Sequence, residues 1–158
     1  MQHLTFKFVK IHPKAIVPEK IKGNLGFDLS VVRDEGFYEH NYTGQRNDWR
    51  YNLQAGQQRL FHTGLKMSIP GWYGVVFWDR SGMSGKHGIT KMAGCIDSSY
   101  RGEWLVCLRN TSGVEYEIIE GDRIIQAVVI PEFSINFMEC KDLDDTFRGK
   151  KGLGSSGR

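Results

Sequence analysis

Residues 94–103, GCIDSSYRGE, place a carboxylate and an aromatic ring, Asp97 and Tyr100, close together in a short polar run. Apolar residues of strand type flank this run, with Cys95–Ile96 before it and residues 104–108 after it. The pattern predicts a β-hairpin that carries Asp97 and Tyr100 near its tip. A carboxylate on a rigid turn can act as a general base, although the same residues are equally common as plain turn formers beside a packing aromatic.

Two glycine-rich segments supply donors that can bind phosphate. Residues 80–88, RSGMSGKHG, follow an apolar strand-like run and offer a guanidinium from Arg80, a hydroxyl from Ser81 and accessible backbone N–H groups. Residues 148–157, RGKKGLGSSG, combine an arginine with two lysines, two serines and four glycines, but lack the GK[ST] ending of a P-loop. Either segment can also be a glycine-rich loop with a surface arginine. Together they favour a small phosphorylated anion as the ligand.

Two further polar residues become informative only beside these segments. Asp28, in the run GFDL, is an acidic residue near a glycine, which most often fixes a turn. Gln126 interrupts the apolar run of residues 124–130, where an amide is most often a hydrogen-bonded part of the core. Neither residue predicts a site by itself.

Size and composition predict one domain with its own core. The chain has 158 residues, of which 40% are hydrophobic, so it needs neither a metal nor disulfides to fold. The net charge of +3 is small and spread along the chain, so we expect no direct binding to nucleic acid or membranes. Cys95, Cys107 and Cys140 lack CxxC spacing and lie in apolar contexts, which indicates buried, reduced thiols. Without a signal peptide or a long apolar run, we expect a cytoplasmic protein.

Short segments of alternating polarity predict an all-β fold of the sandwich or jelly-roll type, with at most one short helix. They are residues 4–9, 65–69, 72–78, 104–108, 114–119, 124–130 and 134–138. We expect the β domain to cover residues 1–140. The polar, aromatic-rich stretch of residues 33–58 is predicted to be an exposed excursion, because it is too long for a tight connection. Residues 141–158 are charged and then rich in glycine, which predicts a flexible arm that orders over a ligand.

Six segments, in chain order, closely resemble the five motifs of the homotrimeric dUTP pyrophosphatases (dUTPases). They are GFDL, TGLKMSIP, RSGMSGKHGI, GCIDSSYRGE, EGDRIIQ and RGKKGLGSSG. The resemblance covers nearly the whole chain and is greatest to viral and bacteriophage members, which would place the protein in the host cytoplasm. It implies a jelly-roll subunit with a flexible C-terminal arm, a homotrimer, and three active sites that each combine motifs from all three chains.

The resemblance also implies a reaction and a role for each motif. In this reading Asp97 orients and deprotonates a water that attacks the α-phosphorus of dUTP, giving dUMP and pyrophosphate with Mg²⁺ as cofactor. This activity keeps uracil out of DNA and supplies dUMP for thymidylate synthesis. Asp28 would support a water on the metal, and Tyr100 would press on the deoxyribose. The substrate-binding residues implied are Arg80, Ser81, Gly82, Ala93, Gly94, Ile96, Tyr100, Gln126, Arg148, Leu153, Gly154, Ser155 and Ser156.

The chain departs from the family pattern at two positions. Leu153 stands where most members carry an aromatic residue. Leucine can cover uracil but cannot stack on it, so either the arm closes more weakly or another ring replaces the missing one. The candidates are Phe37, Tyr38, Tyr42, Trp49, Tyr51 and Phe147. Asp79 stands where a proline usually precedes Arg80, which predicts repulsion of the phosphates by its negative charge. The mixture of aromatic and polar residues in the excursion resembles an interaction surface for a protein partner.

Two other functions remain open on the sequence alone. A dCTP deaminase of the same fold would need a carboxylate to move protons at the cytosine ring, for which Glu103 is the nearby candidate. A regulatory or binding protein would use residues 33–58 to engage a macromolecule. Ammonia release from dCTP separates the first alternative from pyrophosphate release.

Overall fold

Alternating apolar residues form ten strands in the computed structural model, which describes residues 3–34, 49–147 and 149. One helix lies among these residues. The elements are β1 (Lys7–Lys10), β2 (Phe27–Ser30), β3 (Arg50–Leu53), β4 (Gln58–Ser68), β5 (Tyr73–Trp78), α1 (Ser81–His87), β6 (Ile89–Lys91), β7 (Cys95–Ile96), β8 (Glu103–Asn110), β9 (Tyr116–Ile119) and β10 (Arg123–Pro131).

The strands form two four-stranded antiparallel sheets and one two-stranded ribbon. The first sheet has the order β1-β4-β8-β6, and the second has the order β2-β10-β5-β7. Strands β3 and β9 pair in the ribbon. Neighbours in each sheet are mostly distant in sequence, which is the expected connectivity of a jelly roll, and the all-β jelly-roll prediction is confirmed.

The inward faces of the sheets share one hydrophobic core. Phe77 from the second sheet contacts Trp104 from the first, with ring centroids 6.1 Å apart. Tyr51 of the ribbon packs edge-on against Phe61 of β4 at 5.8 Å. Leu29, Leu53, Ile118 and Ile125 are fully buried in the same core. The site described below is therefore mounted on a rigid two-sheet body.

Six of the seven segments predicted as strands overlap strands of the structure. The exception is residues 134–138, which are exposed and form no strand. The predicted hairpin is wrong in its pairing, because Cys95–Ile96 pairs with β5 in the second sheet, whereas β8 pairs with β4 and β6 in the first. Residues 97–102 therefore connect the two sheets. The turn that carries Asp97 is anchored on both of them.

The predicted excursion at residues 33–58 is wrong for its second half. Residues 50–53 form β3, whose side chains Tyr51 and Leu53 are buried in the core. Residues 35–48 lie outside the described part of the chain, and the predicted partner surface stays a prediction for them.

The last strand ends at Pro131, and residues 132–147 are exposed. Large apolar side chains along this stretch face outward, including Phe133, Ile135 and Phe137. The boundary at residue 140 between a β domain and an arm stays a prediction. Among the described residues, no helix is long and apolar enough to cross a membrane.

All three cysteines are free thiols. The prediction that they are buried is wrong for Cys95 and Cys140, which are exposed. Cys107 is half-buried, and burial raises the pKa of its thiol above the ordinary value of 9.0. A protonated thiol is a poor nucleophile, so the raised pKa makes Cys107 less reactive than an exposed cysteine.

Candidate active site

Three motifs that are far apart in sequence meet at one end of the second sheet. Gln126 on β10 lies directly opposite Asp28 on β2 and, on its other side, opposite Trp78 at the end of β5. Side chains opposite one another on neighbouring strands share a face of the sheet. Arg80 follows β5 after one residue, and its Nε lies 3.3 Å from Asp28 Oδ2. The predicted grouping of Asp28, Arg80 and Gln126 is thus formed within one chain.

Two contacts fix the guanidinium of Arg80. Its Nη1 donates to the Arg123 carbonyl at 2.7 Å, while its Nε forms an ion pair with Asp28. The Nη1 of Arg123 also lies 3.4 Å from the same oxygen of Asp28. One carboxylate oxygen therefore faces two guanidinium groups, and this concentrates positive charge where a polyphosphate could bind.

Arg123 is a site residue that the sequence analysis did not identify. The signal was a basic residue at the start of the strand that carries Gln126. Its contact with Asp28 depends on the pairing of β10 with β2, which the local sequence does not specify.

Ser81 and Gly82 lie at the start of α1, where the sequence indicated a glycine-rich loop. The short helix forms because Ser84 N–H donates to the Arg80 carbonyl at 3.0 Å and buried Met83 attaches the helix to the core. Gly88 ends the helix in the left-handed conformation, with φ of 66°. Ser81 and Gly82 are both exposed beside the Arg80 main chain.

The turn that carries Asp97 is held by hydrogen bonds around an exposed carboxylate. Tyr100 N–H donates to the Asp97 carbonyl at 3.1 Å, which closes the turn. Arg101 Nη1 donates to the carbonyls of Ser98 and Tyr100 at 2.6 and 2.9 Å. Ser98 Oγ donates to Glu132 Oε2 at 3.0 Å, so the turn is also attached to the residue that follows β10. Asp97 itself is exposed to solvent, so its carboxylate is accessible to a water molecule.

The Tyr100 ring folds back over Gly102. Its hydroxyl donates to the Glu103 carbonyl at 2.9 Å. A Cβ on Gly102 would lie only 2.6 Å from Tyr100 Cζ, so the glycine permits this ring position. The ring is 40% exposed and is held in one orientation beside Asp97.

Gly94 brings the backbone before β7 close to the core. Phe77 N–H donates to the Gly94 carbonyl at 2.7 Å. The φ of Gly94 is 155°, and a Cβ there would lie 2.6 Å from Phe77 Cβ. Only glycine fits this position. The backbone of Ala93, Gly94 and Ile96 is thereby fixed in place at the edge of the second sheet.

Glu103 is a structural residue. Its Oε1 accepts from Gly64 N–H at 2.7 Å, and its Oε2 lies 2.8 Å from His62 Nδ1. His62 Nε2 lies 3.7 Å from Asp34. Because both oxygens of Glu103 are engaged in the first sheet, the residue that a deaminase would need is already used for support.

Two of the rings that were candidates to replace the aromatic residue at position 153 pack against each other in the structure. Tyr51 is 8% exposed, and the Arg59 guanidinium lies 4.0 Å from its ring centroid. Trp49 also stacks on Tyr51, with centroids 6.3 Å apart. Tyr51 is thus buried and Trp49 half-buried, whereas Phe147 is fully exposed, and the ring that covers a base stays a prediction.

The remaining predicted site residues lie outside the described part of the chain. They are Arg148, Leu153, Gly154, Ser155 and Ser156, together with the candidate rings Phe37, Tyr38 and Tyr42.

The donor set suits a magnesium ion that reaches the site on its ligand. Among residues 3–34, 49–147 and 149, no cluster of three histidine, cysteine or acidic side chains could hold a metal ion. Mg²⁺ commonly keeps several waters and is bound through one or two carboxylates together with substrate phosphates. Asp28 fits such a role, because only one of its oxygens faces Arg80 and Arg123.

The fold and the site together define an all-β protein with two guanidinium groups clustered at Asp28 and an exposed carboxylate on a turn between the two sheets. A family model for dUTPase matches residues 48–157. The deoxyuridine 5′-triphosphate nucleotidohydrolase of Nautilia profundicola is 35% identical over 158 residues, covering 98% of this chain and the whole of the relative. That of Helicobacter hepaticus is 34% identical and covers 99% and 91%. The chain belongs to the dUTPase family.

Solved structures agree in fold. A mutant dUTPase of Staphylococcus bacteriophage 80alpha with dUpNHpp has a TM-score of 0.80 at 21% identity, covering 98% of this chain and 99% of the phage chain. A mutant dUTPase of Staphylococcus aureus phage phi11, which coordinates a structural Mg(II) ion, has a TM-score of 0.73 at 19% identity and covers 89% and 99%.

Proposed function

We propose that this protein hydrolyses dUTP to dUMP and pyrophosphate. The observation that carries the proposal is the convergence of Asp28, Arg80 and Gln126 across strands β2, β5 and β10. A triphosphate supplies its own leaving group, so catalysis requires mainly charge neutralisation, an aligned water and a base. The chain offers groups of each kind in the motifs that define the family.

Asp97 is the proposed base. Its carboxylate accepts a hydrogen bond from a water, takes a proton from it and directs the oxygen at the α-phosphorus. The bond from the α-phosphorus to the oxygen that bridges to the β-phosphorus breaks, and pyrophosphate leaves. The fixed turn between the sheets supports this role, because it holds the carboxylate without occupying it with an ion pair among the described residues.

The phosphates are proposed to bind Arg80, Ser81, Gly82 and Gln126. Arg80 has its Nε and Nη1 engaged by Asp28 and the Arg123 carbonyl, which orients the rest of the guanidinium outward. A bound Mg²⁺ would neutralise charge on the triphosphate, and Asp28 would hold one of its waters. Arg148, Ser155 and Ser156 are proposed to close on the γ-phosphate, with Leu153 and Gly154 over the nucleoside.

Uracil selectivity is proposed to come from the main chain of Ala93, Gly94 and Ile96. Backbone N–H and C=O groups can pair with the uracil edge, and cytosine presents the opposite pattern of donors and acceptors. The tight packing of Gly94 on Phe77 supports a rigid edge. Tyr100, held by its hydroxyl, is proposed to pack on the deoxyribose and exclude a 2′-hydroxyl.

The active site is proposed to combine copies of the chain in a homotrimer. Asp97 directly follows Ile96, which lies opposite Val75, whereas Gln126 lies opposite Trp78. Val75 and Trp78 are three residues apart on β5, which is about 10 Å in an extended strand, and Asp97 lies one residue beyond Ile96 on the far side. That separation is large for a base and a phosphate ligand acting on one substrate, and it supports a site shared between subunits. Three free thiols support the cytoplasm as the compartment.

The test is pyrophosphate release with Mg²⁺ from dUTP, dTTP, dCTP and UTP, measured in parallel for the wild type and Asp97→Asn. We expect release from dUTP alone, lowered by roughly 10²- to 10⁴-fold in the variant, because a general base contributes about that factor. Ammonia release from dCTP would instead establish a deaminase. Unchanged turnover in Asp97→Asn would remove Asp97 from the role of base.

A further inference from the structure

The Asp79 carboxylate, next to the proposed phosphate site, accepts a hydrogen bond from the main chain of another strand. Its Oδ1 accepts from Lys91 N–H at 2.7 Å, and the contact is partly buried. Asp79 lies between Trp78, the last residue of β5, and Arg80. Lys91 is the last residue of β6. The bond therefore connects the second sheet to the first at the residue before Arg80.

The position of β6 explains why this N–H needs an acceptor. β6 is the edge strand of the first sheet and has only β8 beside it. Met92 N–H donates to the Cys107 carbonyl of β8 at 3.0 Å. Because successive N–H groups of a strand point to opposite sides, Lys91 N–H points away from β8. Asp79 supplies the partner that an edge strand otherwise lacks.

Arg80 is consequently fixed from two directions. Asp79 holds the main chain just before it against β6, while Asp28 and the Arg123 carbonyl hold its guanidinium. The Arg80 carbonyl also accepts from Ser84 N–H in the first turn of α1. A shift of the Asp79 main chain would thus move both the guanidinium and the residues that begin the helix.

We propose that Asp79 is a positioning residue that sets the place of Arg80 through its bond to Lys91. The proposal rests on the proposed function, in which Arg80 binds the phosphates. It replaces the expectation from sequence that Asp79 acts mainly by repelling phosphate. The two roles predict different results for an asparagine at this position, because asparagine keeps an acceptor oxygen and removes the charge.

The experiment compares Asp79→Ala and Asp79→Asn with the wild type, and Glu19→Gln serves as the control for loss of one exposed negative charge. Steady-state pyrophosphate release gives kcat and KM for dUTP, and NMR gives the exchange rate of the Lys91 amide. In Asp79→Ala we expect kcat/KM to fall about tenfold, since small misplacements of binding groups are costly in rate. The Lys91 amide should exchange faster in the same variant.

Asp79→Asn should stay within about twofold of the wild type in kcat/KM and keep slow exchange at Lys91. A lower KM in Asp79→Asn, or wild-type kinetics in Asp79→Ala, would overturn the proposal. Should the alanine variant fail to fold, the asparagine variant still decides, because repulsion predicts tighter binding of dUpNHpp and positioning predicts no gain. If the wild type releases no pyrophosphate from dUTP, the proposed function fails, whereas Lys91 exchange still reports on the bond.

Discussion

At the scale of single residues, the site depends on close contacts that only glycine allows. Gly94 lets the main chain approach Phe77, and Gly102 lets the Tyr100 ring lie against the turn. At both positions, each next to a proposed substrate contact, a larger side chain would collide with a neighbouring aromatic residue. The positions of the main chain before β7 and of the Tyr100 ring therefore depend on Gly94 and Gly102.

Replacing Gly102 by alanine should disturb substrate binding more than folding. The new Cβ would collide with the end of the Tyr100 side chain, which is free to swing outward and lose its bond to the Glu103 carbonyl. We expect KM for dUTP to rise roughly tenfold, about 1.4 kcal/mol of binding free energy. The discrimination between dUTP and UTP should weaken, since Tyr100 would no longer be fixed against the sugar. Steady-state kinetics with both nucleotides measures this.

The matched control is Gly113→Ala, because Gly113 lies in an exposed turn, where an added Cβ would have no atom within 4 Å and the backbone has no positive φ. It should leave both kinetics and the thermal midpoint near those of the wild type. If Gly102→Ala keeps its selectivity between dUTP and UTP, Tyr100 does not contact the sugar.

Sequence reasoning identifies some of these residues and misses others for a physical reason. Asp97 and Arg80 stand out from the local pattern through their side-chain chemistry, whereas Gln126 was indicated only by the resemblance to the family. Arg123 and the bond of Asp79 were not identifiable, because each depends on which strand lies alongside. A charged side chain with no partner nearby in sequence, such as Asp79, can form a hydrogen bond with a main-chain N–H on another strand.

At the scale of elements, Glu120 connects three parts of the fold. Its Oε1 accepts from Arg33 N–H at 3.1 Å, just after β2, and its Oε2 accepts from Lys14 Nζ at 2.5 Å, in the N-terminal segment. The Glu120 side chain is only 9% exposed. Burial alone raises the pKa of Glu120, but the hydrogen bonds from Lys14 and Arg33 and the charges of Lys14 and His12 outweigh it. The pKa therefore lies below the ordinary value of 4.5.

The lowered pKa predicts that protonation of Glu120 in acid destabilises the fold. A carboxyl group whose pKa is lower in the folded state stabilises the fold above its unfolded pKa, and this contribution disappears as the pH falls through the folded value. We expect Glu120→Gln to lower the free energy of unfolding by about 1 kcal/mol at pH 7, because one charged hydrogen-bond acceptor is lost. The difference from the wild type should shrink below pH 4.5. Urea unfolding at several pH values measures it.

Glu117→Gln is the matched control, since Glu117 is exposed and pairs only with Arg50 among the described contacts. Its effect should be small at every pH, as for most surface ion pairs. If Glu120→Gln lowered the free energy of unfolding by the same amount from neutral pH into acid, the ionised Glu120 carboxylate would not be the cause of the effect.

The strands were more predictable than their partners. Short apolar runs mark β5, β8 and β10. Burial alternates along β5 and β8, because each has one face on the core, whereas β10 buries consecutive residues in pairs. Alternating polarity at residues 134–138 produces no strand, since no strand within the described part of this chain pairs with it. The glycines of α1 weaken the sequence signal for a helix. The helix forms because Met83 is buried against the core. Local sequence indicates strand character, whereas pairing is a property of the whole chain.

At the scale of the whole molecule, the separation between the proposed base and the proposed phosphate ligands bears on whether one subunit can form the active site alone. Ile96, the residue before Asp97, lies opposite Val75, which is about 10 Å along β5 from the position opposite Gln126. Exposed apolar side chains beyond Pro131, among them Phe133 and Phe137, lack a covering element within the described residues. Both observations suit an assembly in which each active site takes Asp97 from one subunit and Arg80 from another.

Mixed assemblies of two inactive variants should recover activity if the site is shared. Asp97→Asn and Arg80→Ala are each expected to be nearly inactive alone, and co-expression with two different affinity tags allows isolation of mixed oligomers. In a trimer that contains both variants, one of the three sites would combine an intact Asp97 with an intact Arg80, so the isolated mixed oligomers should recover about a third of wild-type turnover. A mixture of the two purified variants without subunit exchange is the control and should stay inactive. Isolated mixed oligomers without activity would mean that Asp97 and Arg80 act from the same chain, and that the turn must move toward β10 during the reaction.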